Sequence, residues 1–176
     1  KFADGERVVA AFSLDPRLMP AEGVTLLFVS RDGLVSRFSM DPFREATTRA
    51  GRRYAKPPEG DEVVFVGLVN ENDVVAMATE EGRALLFPAS EVPVLSGPGK
   101  GVIGMKLEEG DRVLGAAVFG EDEARASLAL ENSKGTIHTL TKRYAVVGRA
   151  GKGLEMIKRD RFVRVVPKDV ELYELK

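Results

Sequence analysis

The chain has 176 residues, of which 44% are hydrophobic, and a formal net charge of −1. This length allows either one globular domain with its own core or a row of small repeated units. The chain contains no apolar run of the roughly 18 residues that a membrane-spanning helix requires, and its lack of cysteine excludes disulfides, thiol nucleophiles and sulfur-ligated metals. Because simple nucleic-acid-binding proteins are basic, the distribution of charge matters more here than its total.

The first predicted element is a strand at residues 5–11, where Gly5 and Glu6 precede an apolar run. It is similar to a strand that recurs later in the chain, so we expect it to be the remnant of a preceding unit. The chain starts at Lys1 without a methionine or a signal-peptide pattern. We therefore expect an excerpt of a longer polypeptide, and the lack of cysteine fits a reducing cytoplasm.

Three copies of a β-hairpin pattern follow, each with an apolar run, a polar turn that ends in glycine and an alternating run. The turn glycines are Gly33, Gly82 and Gly135. Glycine is expected at these positions because the turn requires a positive φ. A large apolar residue stands five positions after each glycine, and we expect all three copies in the core. These residues are Phe38, Phe87 and Leu140.

Two further elements recur after each hairpin. One is a short basic loop around glycine, with copies at residues 49–53, 97–101 and 149–153. The other is an acidic residue that opens an apolar strand, with copies at Asp61, Asp111 and Asp160. Three elements that recur in the same order at one period near 50 residues indicate an internal repeat.

A repeat of this length with several strands per unit predicts an all-β, propeller-like disc of blades. A helical turn is expected only near residues 41–48, where Pro42 limits its length. We predict one domain, or part of one, over residues 1–176, with about three full blades and a remnant. The remnant strand is placed at residues 1–14, and the blades at about 24–69, 74–119 and 126–170.

Charge is unevenly distributed along the repeats. Between Arg44 and Lys56 there are five basic residues and one acid, and basic residues also outnumber acids between positions 142 and 164. Acids gather near residues 71–81, 108–111 and 121–123. Basic faces are therefore compatible with a nearly neutral total.

The basic glycine loops are the candidate binding sites. Glycine lets the backbone approach a phosphate, and arginine and lysine supply charge-assisted hydrogen bonds to its oxygens. Such contacts carry no information about base sequence. The alternative is that the loops are solvated turns without a ligand. The candidate residues are Arg49, Arg52, Arg53, Lys100, Arg149 and Lys152, followed by Lys142 and Arg143.

The repeated aspartates and the single histidine suggest no catalytic or metal site. Separate blades would hold Asp61, Asp111 and Asp160 apart, so we expect each to accept hydrogen bonds from the amides of its own turn. His138 has no partner of the kind that a catalytic triad or a metal centre needs. We expect it on the exposed side of its strand.

The order of hairpin, basic glycine loop and Gly-Asp-x-Val strand resembles the blades of one family, the C-terminal domain of the DNA gyrase and topoisomerase IV A subunits. The segment 82–93 and the loop at 95–101 are especially similar to a topoisomerase IV blade. The resemblance covers residues 5–167 and implies a β-pinwheel, a propeller-like fold in which neighbouring blades exchange strands. The glutamine- and glycine-rich box of gyrase has no match here. This difference favours the topoisomerase IV type or a degenerate gyrase paralogue, without strong DNA wrapping.

The resemblance implies a non-catalytic domain that contacts the backbone of duplex DNA and steers substrate choice during ATP-dependent relaxation and decatenation. Its other expected partners are the rest of the A subunit and the ATPase B subunit. The expected location is the bacterial cytoplasm, at the nucleoid. No cofactor is expected in this segment, whereas the parent enzyme would use ATP and Mg²⁺ elsewhere. Tyr54, Tyr144 and Tyr173 do not stand in the motif of the family's catalytic tyrosine.

Two other functions compete with DNA binding. A protein-interaction propeller that leaves DNA alone is the main alternative, and the net charge of −1 supports it. A propeller hydrolase would need acids or a pair of histidines that converge around a channel, and the sequence supplies neither.

Overall fold

The computed structural model describes residues 4–13, 15, 25–45, 51–120, 128–140 and 144–167. The described chain forms β-strands and two short 3-10 turns, at Asp41–Phe43 and Ala89–Glu91, which confirms the all-β prediction. The first of these turns lies inside the predicted helical turn, whose last residues fall outside the described part. None of the helical segments described here has the length or apolar character needed to cross a membrane.

The strands fall into three groups along the chain. The first group is β1 (Thr25–Ser30), β2 (Leu34–Ser39) and β3 (Val63–Val69). The second group is β4 (Val74–Thr79), β5 (Arg83–Pro88), β6 (Val94–Leu95), β7 (Val102–Ile103) and β8 (Val113–Phe119). The third group is β9 (Ala129–Asn132), β10 (Ile137–Thr139), β11 (Leu154–Glu155) and β12 (Phe162–Val166).

Each repeat is built on an antiparallel sheet of a hairpin and one later strand. β1 pairs with β2 and β3, β4 pairs with β5 and β8, and β9 pairs with β10 and β12. The predicted hairpin glycines close the turns with positive φ, at +86° for Gly33, +85° for Gly82 and +79° for Gly135. Only glycine adopts this conformation without strain.

The core residues are those that the repeat predicts. Phe38, Phe87 and Leu140 are buried, with 6%, 0% and 3% of their surface exposed. Phe87 packs between the first and second sheets, whereas Leu140 packs between the second and third. The apolar faces of successive sheets are therefore stacked on one another, as in a propeller.

Successive repeats exchange short strands. β6 and β7 follow the second hairpin in sequence but pair with β2 of the first, β6 in parallel and β7 antiparallel. In the same way β11 pairs with β5, and Val146 bridges to Leu86 of that strand. A segment of the following repeat thus completes the first and the second sheet, as a β-pinwheel requires.

The exchange defines an inner and an outer edge. β3 packs against β8 and β8 against β12, so these strands form the inner edge of the three sheets. The exchanged strands β6, β7 and β11 lie at the opposite ends of the first two sheets. We call that side the outer edge.

The prediction of a strand at residues 5–11 is wrong, because no strand forms there. Gly5 has a φ of +82°, close to the +83° of Gly60 and Gly110, so the local turn is the same in all three copies. Arg7 forms an ion pair with Glu62 at 3.2 Å. No hairpin of a preceding repeat is present among the described residues, and a strand without a partner cannot form a ladder.

Candidate nucleic-acid interface

The outer edge carries three consecutive loops, which we number by repeat. Loop 1 is residues 51–56, loop 2 is residues 96–101 and loop 3 is residues 148–153. Ala55 bridges to Gly99, and the Lys56 N–H donates a hydrogen bond to the Gly99 carbonyl at 2.9 Å. The backbone of loop 1 is therefore attached directly to loop 2.

The same contacts join loop 2 to loop 3. Met105, just after loop 2, bridges to Gly151, and the Lys106 N–H donates to the Gly151 carbonyl at 2.9 Å. The Ala150 N–H donates in return to the Gly104 carbonyl at 2.6 Å. The three loops consequently form one continuous edge instead of lying on unrelated faces.

Two of the loop glycines, Gly101 and Gly153, are needed for packing between repeats. Gly51, Gly101 and Gly153 have φ values of +66°, +83° and +69°. A Cβ atom on Gly101 would lie 2.4 Å from the Val35 carbonyl oxygen, and one on Gly153 would lie 2.5 Å from that of Ala84. Gly101 and Gly153 therefore allow their loops to approach the previous hairpin, a reason that does not involve a ligand.

Aligning the copies at residues 49–53 and 97–101 would make Gly51 equivalent to Gly99, and this alignment is wrong by two residues. Ala55 and Met105 form corresponding bridges to the next loop, so Gly51 and Gly101, each four residues earlier, are the equivalent glycines. Arg52 and Arg53 consequently occupy the positions that β7 takes in the next repeat. Ile103, the second residue of β7, is 45% exposed. Side chains at these positions thus reach solvent even where the strand is paired.

The cations of loops 1 and 2 are available to a ligand. Arg52, Arg53 and Lys100 are exposed, and no other described residue hydrogen-bonds or ion-pairs with their side chains. A groove of about 400 Å³ between the loops is lined by Arg52 and Arg53 together with Phe43, Tyr54 and other residues. Tyr54 is protonated at neutral pH and burial raises its pKa further, so the phenol adds no negative charge to the groove.

Two lysines of this edge were missed by the sequence reasoning. Lys56 and Lys106 are exposed and follow the residues that bridge to loops 2 and 3. Each lies five positions before its repeat's aspartate, Asp61 or Asp111. That constant offset was the signal that could have identified them.

Arg149 of loop 3 has a structural role. Its Nε donates to the Glu91 carbonyl at 2.9 Å and its Nη1 to the Ile103 carbonyl at 2.8 Å. Its backbone N–H also donates to the Glu91 carboxylate at 2.8 Å. Arg149 thereby fastens loop 3 to both ends of the segment that contains β6 and β7.

Lys152 of loop 3 is paired with a carboxylate. Its Nζ lies 2.8 Å from Glu108 Oε1, and both side chains are more than half exposed. The hydrogen bond from Lys152, assisted by its charge, lowers the pKa of Glu108. Arg83 holds the same loop by donating to the carbonyls of Lys152 and Gly153 at 2.8 and 2.7 Å. The cations of loop 3 are therefore engaged within the protein, whereas Lys100 of loop 2 has no partner among the described residues.

Three candidate residues, Arg49, Lys142 and Arg143, lie outside the described residues. The remaining five candidates all lie on or beside the outer edge. The structure thus places Arg52, Arg53 and Lys100 on neighbouring loops without a partner among the described residues, and it gives Arg149 and Lys152 protein partners.

The repeated aspartates open strands as predicted. In all three, Oδ1 accepts the N–H of the next residue at 2.8 Å. Asp61 and Asp111 also accept an N–H from the hairpin turn of their own sheet, whereas Asp160 accepts the Ser133 hydroxyl, which lowers its pKa. No group of three potential metal ligands occurs among the described residues.

The expectation that His138 is exposed is wrong. Its ring is half-buried, packs edge-on against Phe162 with 5.5 Å between centroids, and lies 3.3 Å from the Asn132 side-chain nitrogen. Phe162 belongs to β12, on the other side of β9 in the same sheet, and its ring covers part of the His138 ring.

The chain matches the model of the family described as DNA gyrase C-terminal domain, beta-propeller, over residues 25–70 and 73–119, more than half of its length. It is 32% identical over 164 residues to the DNA gyrase A protein of Helicobacter pylori (strain ATCC 700392 / 26695), covering 88% of this chain and 20% of that protein. It is also 32% identical over 137 residues to the DNA gyrase A protein of Escherichia coli (strain K12), covering 78% and 15%. The chain thus spans a fifth or less of the length of these two relatives.

Solved structures share the fold. The C-terminal domain of DNA topoisomerase IV superposes with a TM-score of 0.71 at 23% identity, covering 83% of this chain and 46% of that one. The DNA gyrase A C-terminal domain gives a TM-score of 0.68 at 22% identity, covering 85% and 50%. The Escherichia coli ParC C-terminal domain gives 0.66 at 23% identity, covering 85% and 62%.

Proposed function

The chain belongs to the DNA gyrase C-terminal domain family of β-propellers, and on that premise we propose that it is a DNA-binding, non-catalytic segment of a type IIA topoisomerase A subunit. Its outer edge holds the backbone of a duplex DNA segment and helps to select the crossings on which the parent enzyme acts. Strand cleavage and ATP hydrolysis take place elsewhere in the enzyme.

The observation that carries this proposal is the arrangement of the unpaired cations. Loops 1 and 2 are joined by backbone contacts, and Arg52, Arg53 and Lys100 extend from them without partners among the described residues. Lys56 and Lys106 extend the row on the same edge. Such a row offers hydrogen-bond donors at a series of points, as a polyphosphate backbone requires. It contacts no bases, which suits a domain that handles DNA of any sequence.

The finer assignment proposed is the topoisomerase IV type. It rests on the sequence, which has no glutamine- and glycine-rich box, and on loop 3, whose cations Arg149 and Lys152 are engaged within the protein. A track whose cations lack partners among the described residues at only two of three loops favours contact with a short DNA segment over strong wrapping. The proposed protein partners are the ATPase B subunit, together with the remainder of the A subunit.

A salt titration tests the DNA contact. We expect the protein to bind a fluorescent duplex of arbitrary sequence at 50 mM salt and to lose roughly 10²-fold in affinity by 200 mM, since three to five phosphate contacts release their counterions. Two duplexes of unrelated sequence should give the same curve. No binding at low salt, or an affinity independent of salt, would instead favour a protein-interaction propeller.

A further inference from the structure

The second and third repeats differ at one position that bears on the DNA contact. Lys100 of loop 2 and Lys152 of loop 3 are equivalent, because each precedes the glycine that packs against the previous hairpin. Lys152 is bound to Glu108 at 2.8 Å, whereas no other described residue pairs with the side chain of Lys100.

The residue that corresponds to Glu108 beside Lys100 is Pro58. The Asp61 N–H donates to the Pro58 carbonyl at 3.1 Å, and the Asp111 N–H donates to the Glu108 carbonyl at the same distance. The two turns therefore have the same geometry, and both side chains are exposed. Lys100 lacks a carboxylate because position 58 is proline.

No other cation of loop 3 compensates for the pairing of Lys152. The guanidinium groups of Arg149 and Arg83 donate to backbone carbonyls of the protein. The surface beside Glu108 also includes Glu81, Glu109 and Glu155. A phosphate that approached loop 3 would have to displace one carboxylate and would be repelled by its neighbours.

We infer that Glu108 competes with DNA phosphate for Lys152. Because the Glu108 carboxylate pairs with this lysine, the DNA track ends at loop 3. The inference rests on the proposed function and specifies the extent of its binding surface. The track runs over loops 1 and 2. The residue at position 58 determines whether Lys100 is paired with a carboxylate, and the residue at position 108 determines the same for Lys152.

Reciprocal substitutions test this inference in the salt titration of the full chain. Glu108→Gln should raise DNA affinity about threefold to tenfold and steepen the slope of log K against log salt by about 0.9, the value for one added phosphate contact. The gain should disappear in Glu108→Gln/Lys152→Gln. Pro58→Glu should lower DNA affinity by a similar factor, because the new carboxylate would pair with Lys100. Pro58→Gln adds no charge and should have no such effect.

The control for net charge is Glu109→Gln, which removes the same charge from the adjacent residue. Equal gains from Glu108→Gln and Glu109→Gln, or a gain that survives loss of Lys152, would overturn the inference. So would an unchanged affinity for Glu108→Gln when the wild type binds. If neither the wild type nor Glu108→Gln binds DNA, the proposed function itself fails, and the inference with it.

Discussion

Reversal of the three unpaired cations, in the variant Arg52→Glu/Arg53→Glu/Lys100→Glu, should weaken binding to duplex DNA at least 10²-fold near 100 mM salt. Three phosphate contacts are lost, and each new carboxylate repels the DNA backbone. The slope of log K against log salt should become shallower by about 2.7, which counts the contacts independently of absolute affinity. Fluorescence anisotropy with a labelled duplex measures both quantities.

The matched control is Lys134→Glu/Arg159→Glu/Arg161→Glu, which changes the net charge by the same amount. Lys134 lies in the β9–β10 turn, and the two arginines lie before the inner strand β12. This variant should lose affinity only through the general charge of the protein. If it lost as much as the outer-edge variant, the contact would be non-local and the proposed DNA track would be wrong.

Gly101→Ala should reduce the free energy of unfolding by about 3 kcal/mol or more. Alanine at a φ of +83° costs about 1–2 kcal/mol in backbone strain. Its Cβ would also lie 2.4 Å from the Val35 carbonyl oxygen, which forces loop 2 away from β2. The exchanged strand β7 should then separate from the first sheet. Urea denaturation gives the stability, and hydrogen exchange at Val102 and Ile103 reports the loss of pairing.

Two other glycines of the same edge separate the causes of that loss. Gly51 has a φ of +66° but open space around its Cβ position, so Gly51→Ala should show only the backbone strain. Gly97 has neither a positive φ nor a close neighbour, and Gly97→Ala should change stability by less than about 0.5 kcal/mol. Equal effects at all three positions would contradict the strand exchange as the reason for Gly101.

The sequence predicted the features that depend on neighbouring residues. Gly33, Gly82 and Gly135 have the positive φ that their turns need, and the apolar residue five positions later is buried each time. Asp61 shows the same principle for one of its two amide partners, because the Glu62 N–H belongs to the next residue, whereas the Asp32 N–H comes from the hairpin turn. Local turn chemistry and alternation are preserved in a repeat, so three copies reinforce each prediction.

Features that depend on distant residues could not be predicted from the sequence. β6 and β7 are two residues long and pair with a hairpin about 60 positions earlier, so no local pattern marks them. The alignment of loop 1 failed for the same reason, because the glycine that matters is defined by its contact with another repeat. Whether Arg149 is free was likewise decided by two distant carbonyls.

The path of DNA along the outer edge is tested most directly by site-specific cross-linking. The chain has no cysteine, so a single introduced cysteine carries a photoactivatable cross-linker to one defined place. Ser96→Cys places it in loop 2, and Asn72→Cys places it in the turn between β3 and β4, outside the three loops. We predict DNA cross-links from position 96, reduced at high salt, and none from position 72. Equal cross-linking from both positions, or cross-linking from position 72 alone, would contradict a DNA track over the cationic loops.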